Sequence, residues 1–141
     1  MQAAERLEAI LSAQYEKYFE YLDILDSQYD AIQAGSSESI QVHIRLEASL
    51  RENIESLQKV ITALEKMLSP EEQFSTCKNL YAEIDTVKER ITQNIKRNKE
   101  LLDKRMDEVQ EEIQLIHKNL ASRPKTVFAP QHSSVMLDIQ C

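Results

Sequence analysis

Apolar residues recur along this chain at alternating intervals of four and three, the repeat that lays side chains in one stripe along an α-helix. In the N-terminal third the stripe reads Leu11, Tyr15, Tyr18, Leu22, Leu25, Tyr29 and Ile32. Ile10, Phe19, Tyr21 and Ile24 widen it, and a helix with so broad an apolar face needs two neighbours. A second run, Leu50, Ile54, Leu57, Ile61, Leu64 and Leu68, keeps the rhythm, and a third opens with Phe74, Cys77, Leu80, Ile84, Val87 and Ile91.

Local signals divide these runs. Gly35 can adopt the left-handed conformation that closes a helix, and Ser36 or Ser37 caps the next, with Glu38 placed to favour the helix dipole. In Ser69-Pro70-Glu71-Glu72 the serine caps, the proline takes the first helical position, and Glu72 can reach back to complete a capping box. Three helices are predicted, over about 3–34, 37–68 and 70–121. On the second, Glu55 and Lys59 are spaced to pair across one turn.

At 1.5 Å per residue the first two helices measure roughly 48 Å and the third roughly 78 Å, so the third outruns its partners or breaks. Asn94 and Asn98 enter or border its stripe, and Ile95, Leu102, Met106, Val109, Ile113, Ile116 and Leu120 continue it in a shifted phase. A buried asparagine in a seam fixes register at a cost in stability. The fold class that follows is all-α: an elongated antiparallel three-helix bundle or coiled coil with a long third helix. It forms one domain over residues 1–121 and leaves 122–141 as a flexible tail with apolar spots at Val127-Phe128 and Val135-Met136-Leu137-Asp138-Ile139.

Composition sharpens this picture. One glycine, three prolines and no tryptophan, with 29 % charged and 42 % apolar residues, leave few places to turn. A net charge of −7 argues against nucleic acid as a partner. Lys96, Arg97 and Lys99, the one basic cluster, read as a solvated helix face. No stretch is apolar enough for membrane insertion, and Gln2-Ala3-Ala4-Glu5 does not resemble a signal peptide. Cys77 and Cys141 make neither a disulfide framework nor a metal spacing, and a reducing cytoplasm fits them best. His43, His117 and His132 lie in different elements, and a single glycine permits no phosphate-cradling loop. No catalytic residue, cofactor or metal is expected, and function must come from the surface. The stripe beyond Leu101 has no internal partner of matching length, so it calls for another cover, a protein partner or a second copy in a homodimer.

In Leu22 to Gly35 a helix closes on Tyr29-Asp30-Ala31-Ile32-Gln33-Ala34-Gly35. In Glu47 to Leu68 a glutamate precedes the Leu/Ile ladder. In Ile91 to Ile116, Asn94 and Asn98 precede Leu101-Leu102 and a continuing apolar run. Together these three stretches resemble the FlgN-like flagellar export chaperones. The resemblance implies a cytoplasmic type III secretion chaperone that binds the terminal helix of hook–filament junction proteins, prevents premature assembly, and delivers them to an export-gate component. It places client binding on Asn98, Leu101, Leu102, Met106, Val109, Ile113 and Ile116, and export-gate docking on Phe128. The alternative is a structural coiled-coil scaffold or tether that acts by self-assembly.

Overall fold

A computed structural model describes residues 2–122 and shows an all-α protein. The described residues form three helices: α1 (Gln2–Ala34), α2 (Ser37–Lys66) and α3 (Pro70–Ala121). The chain divides into two compact units, Met1–Arg105 and the part from Met106 onward. Where the sequence carries one domain to residue 121, the division thus falls inside α3.

In the first unit the turns follow from backbone chemistry. Gly35 sits at φ 71°. Its amide donates to the Ile32 carbonyl and the Ser36 amide to the Ala31 carbonyl, both at 3.1 Å, which is the Schellman pattern. Ser36 then caps α2, its side chain accepting from the Ser39 amide. α2 stops at Lys66 rather than Leu68, because the Met67 and Leu68 amides turn back onto the Leu64 and Glu65 carbonyls. Leu68 is nevertheless buried as part of the turn. Ser69 caps α3 by accepting from the Glu72 amide at 3.2 Å. Its hydroxyl donates to the Glu72 carboxylate at 3.1 Å, so the carboxylate meets the serine side chain and not its amide.

All three helices supply the core of this unit: Leu7, Leu11, Tyr18 and Leu25 from α1, Leu50, Ile54, Ile61 and Leu64 from α2, and Cys77, Ile84, Val87 and Ile91 from α3. The α1 seam differs from the expected one. Its buried positions are Leu7, Leu11, Gln14, Tyr18, Tyr21, Leu22, Leu25, Gln28, Ala31 and Ile32, so Leu11, Tyr18, Leu22, Leu25 and Ile32 of the expected stripe are buried while Tyr15 and Tyr29 stand at the edge. The two glutamines are tolerated because each finds an amide partner. Gln14 donates to the Gln58 side chain at 3.0 Å, and the Gln28 oxygen accepts from Asn98 at 2.9 Å.

Phe74 leaves the predicted α3 seam and is 60 % exposed. In the first turn of α3 it is Gln73 that turns inward, donating to the Glu65 and Leu68 carbonyls at 2.7 and 3.3 Å, and Phe74 is carried outward beneath the Lys78 ammonium. The i,i+4 pair that closes on α2 among the described residues is Glu47–Arg51 at 3.3 Å, in place of Glu55–Lys59. Tyr21 explains the choice: its hydroxyl donates to Glu47 at 3.1 Å and accepts from Arg51 at 3.4 Å, tying the pair to α1.

Two directional facts describe the helix contacts. Along α1 and α2 the hydrogen-bonded partners run in opposite order, Gln14 with Gln58 and Tyr21 with Glu47. Along α1 and α3 they advance together, Leu25 with Asn98 and Gln33 with Arg105.

Candidate functional site

The α3 seam does not switch to the apolar residues after Ile91. It continues at the same four-three spacing through half-buried Asn94, buried Asn98 and half-buried Leu101 to Arg105, which is exposed. Asn98 is 3 % exposed and fully engaged. Its amide nitrogen donates to the Leu25 carbonyl at 2.8 Å and to Gln28 at 2.9 Å, and its oxygen accepts from the Arg97 Nε at 3.1 Å. Arg97 reaches Asp26 at 3.2 Å and lies over the Tyr29 ring at 4.3 Å, so it is a clamp on α1 and not part of a solvated basic face. Arg105 donates to the Gln33 carbonyl, one of the last carbonyls of α1, where a cation suits the helix dipole.

This polar clamp changes the set of residues open to a partner. Asn98, expected on a client-binding face, is drawn into the interior of the first unit, because its amide satisfies a buried carbonyl and a buried glutamine. Leu101 and Leu102 are half-buried in the same unit. Ile95, although apolar, is left outside the core.

In the second unit the stripe Met106, Val109, Ile113, Ile116 and Leu120 stands open on α3, each residue between 45 % and 56 % exposed. Spacings of three and four keep these five side chains in one row. Glu112 precedes Ile113 and His117 follows Ile116, so one acidic and one titratable residue border the row. Phe128 and the apolar spots of the tail lie outside the described residues.

Among the described residues no group of three His, Cys, Asp or Glu is close enough to hold a metal ion. No helix there is long and apolar enough to cross a membrane. Burial raises the pKa values of Tyr18 and Tyr21, and in Tyr21 the arginine beside it opposes the rise. The Tyr81 phenol is pushed well above its ordinary range, first by burial and then by its 2.6 Å hydrogen bond to the Glu65 carboxylate. Burial also raises the Cys77 thiol, with Glu8 and Glu65 adding to the shift.

Comparison with known proteins leaves the family open. No family model matches the chain, and no solved structure matches it. A protein of Treponema pallidum (strain Nichols), described as an uncharacterized protein, is 26 % identical over 110 residues, covering 77 % of this chain and 71 % of its own length.

Proposed function

We propose that this chain is a cytoplasmic export chaperone of the FlgN-like kind, whose clients are hook–filament junction subunits. It is built on an antiparallel three-helix coiled coil, an arrangement supported by the opposite and matching orders of the hydrogen-bonded residues. One observation carries the reading. Where the bundle seam runs on along α3 it buries Asn98, hydrogen-bonded to α1, while the apolar row Met106, Val109, Ile113, Ile116 and Leu120 remains open. An apolar row spaced this way is matched by the apolar face of another helix.

The mechanism is occlusion. A junction subunit polymerises through amphipathic terminal helices, and laying one of them on the α3 row hides the face that would otherwise self-associate. Packing of apolar side chains supplies the affinity, and delivery to an export-gate component follows through the region around Phe128.

Titration calorimetry with a terminal-helix fragment of a junction subunit tests this. Val109→Glu with Ile113→Glu is expected to weaken binding by about a hundredfold or more, since two charges would need burial without partners. Both residues are half-exposed, so helicity and melting temperature should hold. Unchanged binding by this variant removes the row as the client site.

The second reading is a scaffold that self-assembles through the same row, favoured by its coiled-coil spacing with β-branched Val109, Ile113 and Ile116. Light scattering on a sizing column separates the two. A dimer that dissociates in the double variant, with no complex formed by the junction fragment, supports the scaffold.

A further inference from the structure

We propose that the groove between α1 and α2 is a second docking surface, and that its occupant is an amphipathic helix of another protein carrying lysine or arginine along one flank. The groove is an open trough of about 450 Å³ over a floor made by Ile24 and Leu50. Its two walls differ in kind. The α2 wall is the row Val42, Leu46, Ser49, Asn53, Ser56 and Val60, spaced four and three apart, all exposed and none charged. Val42, Leu46 and Val60 in that row are 40–47 % exposed, an apolar area that neither neighbouring helix covers.

The α1 wall is acidic. Glu20 and Asp23 line it, and Glu16 lies one turn before Glu20. Lys17, the one cation among the residues lining the groove, is already held by Glu20 at 3.2 Å. A helix laid in the groove therefore meets uncharged, small and apolar side chains on one side and an excess of carboxylates on the other. Basic residues on the flank facing α1 satisfy that excess, and acidic ones are repelled. The open apolar row of a second copy supplies no such flank: between Val109 and Leu120 the residues bordering it are Gln110, Glu112, His117 and Asn119, with no lysine or arginine among them.

Two synthetic amphipathic peptides test the assignment. They share one Leu/Ile stripe and differ only in carrying lysines or glutamates along one flank. Binding to the full chain is read by fluorescence anisotropy. The lysine-flanked peptide is expected to bind at least about tenfold tighter than its glutamate counterpart, the size of effect that a few rim charges produce. Leu46→Asp should weaken it by a similar factor with unchanged helicity, and Glu20→Lys with Asp23→Lys should invert the preference. The Val109→Glu, Ile113→Glu variant should bind the peptide as the wild type does. Equal binding of both peptides, or no binding of either, overturns the proposal. So does loss of binding in the α3 variant with Leu46→Asp silent, an outcome that would move the peptide to the α3 row and leave the chaperone reading standing.

Discussion

At the scale of single residues, polar side chains inside the seams decide how the helices of the first unit register. Asn98 spends both amide protons on α1, one on the Leu25 carbonyl and one on the Gln28 oxygen. Asn98→Ala removes both donors and leaves the buried Gln28 oxygen without its partner, which should cost about 1–3 kcal/mol in a urea titration. Asn98→Leu replaces the group with an apolar one and should be milder in stability, while giving poorer dispersion in the NMR spectrum as register specification is lost. Tyr81 adds a pH dependence of known sign. Its folded pKa lies above the unfolded value, so its stabilising effect is complete below about pH 10. As pH rises beyond that point the unfolded chain gives up the proton first, and stability falls. Tyr81→Phe should flatten this alkaline loss, seen by comparing melting temperatures at pH 8 and pH 11.

At the scale of elements, punctuation is legible in the sequence and the seams are only partly so. Gly35 stands where α1 ends, and Ser36 and Ser69 stand as caps, because these residues act through their own backbone and nearest neighbours. The all-α class is legible for a related reason: one glycine and a persistent four-three rhythm leave no other periodic structure. The pattern draws the α1 seam toward Tyr15 and Tyr29 because hydrophobicity cannot show that Gln14 and Gln28 have partners from other helices. The same blindness sets Asn98 with the binding row and passes over Arg97 and Arg105 as clamps. Their signal is present in the unbroken spacing Ile91, Asn94, Asn98, Leu101 and Arg105, but only when polar residues are allowed to count as seam. A substitution tests the turn itself. A Cβ placed on Gly35, at its φ of 71°, meets no atom within 4 Å, so the cost of Gly35→Ala is conformational, about 1–2 kcal/mol of thermal stability.

At the scale of the whole molecule, the buried cluster ends at Ile91 and the first unit ends at Arg105. A chain stopped after Arg105 should therefore melt cooperatively within a few degrees of the full chain in a circular dichroism scan, while losing the open α3 row proposed as the client site. A broad, non-cooperative melt would mean that residues beyond Arg105 hold up the core.

Cys77 gives this molecule a clock. The residue is 1 % exposed and its thiol is held in the unreactive protonated form by burial. With Cys141 replaced by serine, a maleimide can reach the remaining sulfur only when the helices around it part. The labelling rate then counts those openings one molecule at a time, and whatever tightens the bundle will slow the count.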